Sequence, residues 1–250
     1  MIAPILSIAK LNKRFGGLIA TDNVSLDVAP GETHALIGPN GAGKTTLIAQ
    51  LQGVLKPDSG SILFRGKEIS HTRPDARARM GLARSFQITA VLPEFTALEN
   101  VRLAVQARLG HSFRFFRAAA KDLSMNAAAH EALDQVGLGS SADIPAASLS
   151  HGARRQLELA MALAMKPVLL LLDEPMAGMG KQDAAKMLNL LAGLKRKYSI
   201  ILVEHDMDAV FALADRLSVL VAGAIIATGP PGDIRDNAEV RAAYLGHQGK

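Results

Sequence analysis

Nine consecutive residues, running from Gly38 to Thr46 as GPNGAGKTT, have the types and the spacing of a loop that binds phosphate. They fit the pattern G-x-x-x-x-G-K-[ST], in which glycines let backbone N–H groups turn inward around an anion. The apolar residues before the loop predict a strand, and those after it predict a helix that ends at Gly53. Because the pattern requires this order of strand, loop and helix, we disfavour a chance match in a glycine-rich turn.

The side chains of this loop predict how a nucleoside triphosphate and Mg²⁺ would be held. Lys44 would reach the outer phosphates as a point charge, and the hydroxyl of Thr45 would bind Mg²⁺. The further nucleotide-binding residues predicted here are Asn40, Gly41, Gly43 and Thr46.

Polar residues follow two apolar runs that predict buried strands. The run at 167–172 is followed by Asp173 and Glu174. Ligands of open α/β sheets bind beyond the carboxyl ends of strands, so Asp173 is placed to bind Mg²⁺ and Glu174 to activate the attacking water. The run at 199–203 leads to His205, which could contact the γ-phosphate. Taken alone, His205 would more often be a surface or helix-start residue.

The segment LSHGARRQ, residues 149–156, predicts the start of a long helix. Ser150 would be its N-cap, and with Gly152 in the first turn the helix N-terminus offers a second anion site. Capping alone would also explain Ser150.

Composition bounds the class of protein. The chain has 250 residues, a net charge of +5 and no cysteine, which excludes disulfides and cysteine metal sites. No run of about 18 apolar residues predicts a membrane-spanning helix, and the N-terminus does not fit a signal peptide. Aromatic residues make up 4% of the chain and Trp is absent, so we expect no nucleic-acid partner.

The order of apolar runs predicts an α/β fold. Apolar strands without polar alternation, separated by helices, are typical of a parallel sheet that is buried on both faces. Residues 5–37 suggest a small strand-rich layer, and the stretch from about Thr96 to Gly137 suggests a helical insertion.

Together these motifs resemble the nucleotide-binding subunit of ABC transporters, over nearly the whole chain. Their order is distinctive: the phosphate-binding loop, a glutamine at Gln87, the signature at 149–156, LLLLDEP at 169–175 and VEHD at 203–206. The resemblance implies a P-loop NTPase parallel-sheet core with an antiparallel β layer and an inserted helical subdomain. The core would comprise residues 1–87 and 150–250, and the helical subdomain residues 88–149.

The resemblance also implies roles for single residues. ATP would lie between two subunits arranged head to tail, so that Ser150 and Gly152 contact the γ-phosphate bound to the partner. Phe15 would stack on adenine, although a plain core Phe remains an alternative. Gln87 would sense Mg²⁺ and the γ-phosphate, act with the catalytic residues Glu174 and His205, and couple the site to a permease through the helical lobe.

Three positions depart from the family's pattern: His151 and Ala153 in the signature, and Gly180 in the loop 176–180, which lacks the Asp of many relatives. None of them removes a phosphate ligand or Glu174, so we expect an active ATPase.

Segments near both ends, at 13–18, 227–234 and 240–246, look like those of branched-chain (hydrophobic) amino acid importer ATPases. The LSHG signature also resembles relatives that import urea or short amides. Importers of the first kind imply membrane permeases, a second ATP-binding subunit (in a homo- or heterodimer) and a periplasmic solute-binding protein. The chain would lie peripherally at the cytoplasmic face of the bacterial inner membrane.

A soluble ABC ATPase that is not linked to transport is the rival interpretation. Such relatives usually carry two cassettes in one chain or a long coiled-coil insertion. This sequence has one phosphate-binding loop and no sustained heptads, which favours the transporter.

The stretch between Glu99 and Asp122 has no acidic residue. Its basic side chains could meet anionic lipid headgroups, although a solvated basic face of the helical lobe is the interpretation we favour. These basic residues are Arg102, Arg108, Arg114, Arg117 and Lys121, with Phe113, Phe115 and Phe116 among them.

Overall fold

Two β-sheets organise the chain in the computed structural model, which describes residues 3–84, 91–109 and 123–245, and side chains up to 242. Gln87 and most of the basic segment at 110–122 therefore lie outside the described residues. The smaller sheet is antiparallel and consists of β1 (Leu6–Phe15), β2 (Leu18–Val28), β4 (Ser59–Phe64) and β5 (Lys67–Glu68). Its strand order is β2-β1-β4-β5.

The larger sheet carries the phosphate-binding loop. Its strands are β3 (Thr33–Ile37), β6 (Leu82–Arg84), β7 (Leu169–Asp173), β8 (Ser199–Val203), β9 (Arg216–Val221) and β10 (Ala224–Gly229). They pair in the order β10-β9-β3-β8-β7-β6, all parallel except β10, which runs antiparallel to β9. Every residue of β3, β7 and β8 is buried, as expected for strands that are covered on both faces. The predicted α/β fold with its antiparallel layer is confirmed, whereas β10 was not predicted.

Helices cover the larger sheet and fill the predicted helical stretch. They are α1 (Lys44–Gln52), α2 (Pro74–Arg79), α3 (Ala97–Leu109), α4 (Leu123–Gln135), α5 (His151–Ala164), α6 (Lys181–Leu194), α7 (Met207–Leu213), α8 (Pro231–Asp236) and α9 (Ala238–Leu245). Helices α3 and α4 occupy the stretch that was expected to be helical, and both pack against α5. In the parts of the chain that the structure describes, no helix is long and apolar enough to cross a membrane.

A buried arginine closes the carboxyl end of α1. Arg77 of α2 is 1% exposed, and its guanidinium donates to the carbonyl oxygens of Gln50 and Leu51 at 2.7 and 2.6 Å. Its other acceptors are the carbonyl oxygens of Ile69, Ser70 and Thr72. Burial lowers the pKa of Arg77 to about 10, so the group keeps its charge at neutral pH. A positive charge there complements the negative end of the helix dipole and fixes α1 at the end opposite the loop.

A series of hydrogen-bonded polar side chains runs through the larger sheet. Glu32 Oε1 lies 2.9 Å from His34 Nδ1, and His34 Nε2 lies 2.9 Å from Ser218 Oγ. The Ser218 hydroxyl is in turn 2.7 Å from Thr228 Oγ1. Burial raises the pKa of Glu32, but hydrogen bonds from His34 and the Ala29 N–H outweigh it, and the net pKa is lowered. A buried polar group without a partner destabilises the folded state. This series of hydrogen bonds therefore helps to fix the register of β3, β9 and β10.

We expect the substitution Ser218→Ala to lower the free energy of unfolding by about 1–3 kcal/mol, because it leaves buried His34 Nε2 without its partner. Urea denaturation measures this change. Ser140→Ala is the control, since Ser140 is exposed in the short turn after α4, and its effect should stay below about 0.5 kcal/mol. Equal effects of the two substitutions would contradict a structural role for this series of buried hydrogen bonds.

Candidate functional site

The phosphate-binding loop is wedged between the two sheets. Gly38 and Gly43 both have positive φ, at 154° and 104°, and neither has room for a side chain. A Cβ on Gly38 would overlap the carbonyl oxygen of Leu220 in β9, and one on Gly43 would overlap that of Ala20 in β2. The Gly223 N–H also donates to the carbonyl oxygen of Ala42 at 2.9 Å, so the turn between β9 and β10 holds the loop from outside.

Lys44 begins α1 and folds back over the loop. Its Nζ donates to the carbonyl oxygens of Gly38 and Pro39 at 2.6 and 3.0 Å. Burial lowers the pKa of Lys44, and the carboxylates of Glu174 and Asp173 oppose that shift. The ammonium group is therefore held at the loop by oxygen atoms, and an anion in the loop would compete with those carbonyls for it. Thr45, the next residue, is exposed at the helix N-terminus.

A cavity of about 300 Å³ opens beside the loop. It brings together most of the predicted nucleotide-binding residues and adds three apolar side chains of β2. The lining residues are Phe15, Leu18, Ile19, Ala20, Asn40, Gly41, Ala42, Gly43, Lys44, Thr45, Thr46 and Glu174.

The aromatic ring of this cavity is accessible. Phe15 is 49% exposed, and the ammonium group of Lys13 lies 5.7 Å from the centre of its ring. Lys13 is itself fixed by an ion pair with Asp58, at 2.6 Å. An exposed ring at the mouth of a polar cavity is suited to stack against a planar ligand group, and its exposure argues against the alternative of a plain core Phe.

Asp173 ends β7 close to Lys44 and is only 4% exposed. Burial raises the pKa of its carboxyl group, the charge of Glu174 adds to that shift, and Arg84 opposes it. The Arg84 guanidinium donates to Asp173 Oδ2 at 2.9 Å and also contacts Gln52 at the end of α1. Sequence reasoning missed Arg84 because a lone arginine on a three-residue strand carries no motif. Only the pairing of β6 with β7 brings the two side chains together.

Glu174 adopts a backbone conformation that non-glycine residues rarely take. Its φ is +49°, directly after the last residue of β7, and its N–H donates to the Val203 carbonyl oxygen at 2.9 Å. This turn sends its side chain into the lining of the cavity. Such strained residues cost about 1–3 kcal/mol and occur preferentially at active sites.

His205 follows β8 and is not among the residues that line the cavity. Its side chain is 68% exposed, and its Nδ1 lies 3.7 Å from Oε2 of Glu204. Glu204 is 2% exposed and accepts backbone hydrogen bonds from Met176 at 3.2 Å and from His205 at 3.1 Å. Burial raises the pKa of Glu204, and these N–H groups oppose the shift.

Ser150 and Gly152 are likewise not among the residues that line this cavity. Ser150 caps α5 by accepting a hydrogen bond from the Ala153 N–H at 3.2 Å, as predicted. Gly152 packs against α6, where a Cβ would come within 2.9 Å of the Asp183 carboxyl group. Within one chain, then, the signature and the phosphate-binding loop do not form a single site.

Comparison with known proteins agrees with this geometry. A family profile described as ABC transporter matches residues 21–177, which is more than half of the chain. The chain belongs to the family of ABC transporter ATP-binding proteins. A second profile, described as branched-chain amino acid ATP-binding cassette transporter, matches residues 224–250 of this ABC ATPase. The predicted family is thus confirmed, and with it nucleotide binding.

Curated relatives match the ABC ATPase over nearly its full length. The high-affinity branched-chain amino acid transport ATP-binding protein LivG of Escherichia coli (strain K12) is 39% identical, over 98% of this chain and 99% of that protein. BraF of Pseudomonas aeruginosa, with the same description, is 38% identical over the same shares. A sulfate/thiosulfate import ATP-binding protein, CysA 2 of Chromobacterium violaceum, is 36% identical over 92% of this chain and 59% of that protein.

Solved structures give the same result. The ADP conformation of MJ1267, an ATP-binding cassette of an ABC transporter, has a TM-score of 0.86 and 31% identity, over 97% of this chain and 99% of that one. A nucleotide-free ATP-binding cassette has a TM-score of 0.84 and 30% identity, over 96% and 98%.

The two tight glycine contacts generate a prediction. Gly43→Ala should weaken binding of a fluorescent ATP analogue at least about a hundredfold, because its Cβ would collide with backbone and displace the loop. Gly16→Ala is the matched control: Gly16 also has positive φ, at 58°, its Cβ would meet nothing within 4 Å, and it is not among the residues that line the cavity. That substitution should cost only the strain of about 1 kcal/mol, or roughly fivefold. Equal losses would show that strain, and not the contact with β2, governs the loop.

Proposed function

We propose that this chain is the ATP-hydrolysing subunit of an importer for branched-chain or other hydrophobic amino acids. The observation that carries the solute class is the profile match at residues 224–250. Similarity in the ATP-binding region alone does not distinguish one solute class from another, because the sulfate/thiosulfate relative is similar over most of the chain. The near full-length similarity to LivG and BraF, whose names state branched-chain amino acid transport, supports the same solute class.

In the proposed site, the loop N–H groups and Lys44 hold the phosphates, and Phe15 stacks on adenine. Asn40, Gly41, Gly43 and Thr46 complete the nucleotide pocket, whose lining supports these assignments. Glu174, which is turned into the cavity, orients the attacking water and accepts its proton. His205 and Gln87 contact the γ-phosphate side; because the His205 side chain is exposed, this role requires the site to close around it.

Mg²⁺ fits the donors of this site. Thr45 and Asp173 supply hard oxygen ligands, and Mg²⁺ at nucleotide sites takes one or two protein ligands beside phosphate and water. Among the described residues, no group of three or more His, Cys, Asp or Glu could hold a metal ion. Phosphate and water would therefore have to supply the remaining ligands. When bound, Mg²⁺ would neutralise charge that develops on the transferring phosphoryl group. Gln87 completes the proposed set of metal-site residues.

A second ATP-binding subunit completes each site in this proposal. The separation of the signature from the cavity within one chain supports it, since the exposed Ser150 can then contact the partner's nucleotide, with Gly152 beside it in the first turn of α5. Two-fold pairing of this kind forms two equivalent sites. The second subunit is either another copy of this chain or a companion ATPase.

An apolar groove supports a permease as the membrane partner. It has a volume of about 500 Å³ and lies between α1, α2 and β6 on one side and α3 and α5 on the other. Val54, Leu92 and Leu103 are among its apolar residues, and they are 69%, 43% and 38% exposed. The groove also adjoins Arg84, the last described residue before Gln87. We therefore propose that a permease segment docks here, where a helical subdomain of residues 88–149 meets a core of residues 1–87 and 150–250 that includes α5.

The wider assembly follows from the same proposal. The chain would sit peripherally on the cytoplasmic face of the bacterial inner membrane and act with a periplasmic solute-binding protein. The alternative is the same role in an importer of urea, short amides or another small solute. A soluble ABC ATPase is a further alternative, and the importer names of the relatives disfavour it.

Co-purification tests the proposal directly. The tagged chain is recovered from cross-linked membranes, and its partners are identified by mass spectrometry. Two multi-span permeases with a solute-binding protein that binds leucine or isoleucine would support it. A binding protein that prefers urea or amides would select the first alternative, and exclusively soluble partners would select the second.

We expect Glu174→Gln to lower ATP hydrolysis about 10²–10⁴-fold, the usual contribution of a general base, without weakening ATP binding. Steady-state turnover and binding of the ATP analogue measure the two effects. Glu158→Gln, which changes a buried glutamate of α5 away from the cavity lining, is the control and should change turnover far less. Near-normal turnover of Glu174→Gln would remove Glu174 from this role.

Arg84→Met should make the Mg²⁺ concentration that ATPase activity requires depend more strongly on pH. Without Arg84 the pKa of the buried Asp173 carboxyl group would rise further, so more of it would be protonated and unable to bind metal. Half-maximal ATPase activity should then require more Mg²⁺ at pH 6 than at pH 8, by a larger ratio than in the wild type. Arg79→Met, on the exposed face of α2, is the control. An unchanged ratio would contradict the role given to Asp173.

A further inference from the structure

Asp58 lies directly before β4 and binds the end of β1, the strand that carries Phe15. Its Oδ1 accepts a hydrogen bond from Lys13 Nζ at 2.6 Å, and its Oδ2 accepts one from the Arg14 N–H at 2.7 Å. Its own N–H donates to the carbonyl oxygen of Asn12 at 2.9 Å. The bond from Lys13, and after it the bond from Arg14, lowers the pKa of Asp58, which therefore stays charged at neutral pH. Asp58 thus contacts the three residues that precede Phe15.

The sheet alone gives this strand end little support. The pairing of β1 with β4 ends at Asn12, and in its pairing with β2 the register shifts on both sides of Lys13. Phe15 then leads into a turn at Gly16 and Gly17, where an added Cβ would meet nothing within 4 Å. Because no other element packs against this turn, the contacts of Asp58 are the ones that hold β1 beyond the last pair with β4.

Lys13 extends this support to the aromatic ring. Its ammonium group lies 5.7 Å from the centre of the Phe15 ring, within the range of a cation–π contact. The Lys13 side chain is 15% exposed and is not among the residues that line the cavity, whereas Phe15 is. The ammonium group therefore covers the side of the ring that faces away from the cavity, and the other side stays open to a planar ligand.

The segment that carries Asp58 is itself attached to helix α1, which begins at the phosphate-binding loop. The Leu55 N–H donates to the carbonyl oxygen of Ala49 in α1 at 3.1 Å, and Pro57, which precedes Asp58, is buried. The ring of Phe15 is therefore joined to the loop in two ways. One is the contact of Gly43 with β2, and the other runs from α1 through Asp58 to the end of β1.

We propose that Lys13 and Asp58 are positioning residues for the nucleotide base, which together hold the Phe15 ring at the distance from the phosphate-binding loop that a bound nucleotide requires. This inference rests on the proposed function, in which Phe15 stacks on adenine. Neither Lys13 nor Asp58 lines the cavity, so neither contacts the phosphates or the reacting atoms. The pair therefore contributes to the binding of ATP and not to the rate at which bound ATP is hydrolysed.

Two probes separate base binding from phosphate binding: ATP and inorganic tripolyphosphate, which has no base. Calorimetric titration of the full-length chain with each, in the presence of Mg²⁺, gives two dissociation constants. Lys13→Met should weaken ATP binding about three- to tenfold, because it removes the cation over the ring and the ion pair, and should change tripolyphosphate binding less than about twofold. Asp58→Asn, which leaves the cation in place without its partner, should weaken ATP binding about two- to fourfold.

Hydrolysis gives a second measurement, which a general loss of structure would not reproduce. In the chain purified with its membrane partners, both variants should raise KM for ATP by the same factors and leave kcat within about twofold of the wild type. Lys13→Arg keeps a cation over the ring and a donor for Asp58, so it should restore ATP binding. The double variant should lose little more than Lys13→Met alone, because Asp58 acts mainly through Lys13.

Asp75→Asn provides the matched control. Asp75 is likewise an exposed aspartate with ion-pair partners, Arg73 and Arg79, but it lies on α2 and does not line the cavity. It removes the same charge as Asp58→Asn and should leave both dissociation constants unchanged. Equal losses of ATP and tripolyphosphate binding in Lys13→Met would overturn the inference, since they would show an effect on the phosphates. A lower kcat with unchanged KM would overturn it as well.

Phe15→Ala separates failure of this inference from failure of the proposed function. If Phe15→Ala weakens the binding of ATP but not of tripolyphosphate, while Lys13→Met binds both as the wild type does, the stacking role of Phe15 stands and only the role of Lys13 and Asp58 is wrong. If Phe15→Ala binds ATP as tightly as the wild type, Phe15 does not hold the base, and both the proposed stacking and this inference fail.

Discussion

The close approach of backbone to backbone around the phosphate-binding loop is the constraint on which the rest of the structure depends. Gly38 contacts β9 and Gly43 contacts β2, so the loop exists only where the two sheets meet. The antiparallel sheet is therefore part of the nucleotide site, and it also contributes the exposed Phe15. A change in the angle between the sheets would alter the loop before it altered any side-chain ligand.

Charge balance is the second organising feature. Lys44, Glu174 and Arg84 are half-buried around the buried Asp173, and burial shifts the pKa of Lys44 down and that of Asp173 up. Each charge is tolerated because another opposes it. Helix α1 contributes Lys44 to this group from its N-terminus at the loop, and its carboxyl end is held by Arg77.

The sequence predicted the fold and the cavity well because their signals are local. A glycine pattern, apolar runs and strand-end carboxylates each occupy a few consecutive residues, and the family resemblance joined them. The contacts of Arg77 and Arg84 could not be predicted from the sequence, since each joins residues far apart in the chain. Strand β10 was missed because AIIATG has no clear alternation and its pairing with β9 is antiparallel. The roles of single site residues remain predictions.

The backbone conformation of Glu174 has a consequence for cells that carry damaged copies of this protein. A residue with φ of +49° stores strain, and a glycine or asparagine there would relieve it while removing the carboxylate. Loss of the acid at this position should therefore leave the subunit well folded, in contrast to losses in the core. The amount of folded protein in a cell would therefore not reveal that the carboxylate had been lost.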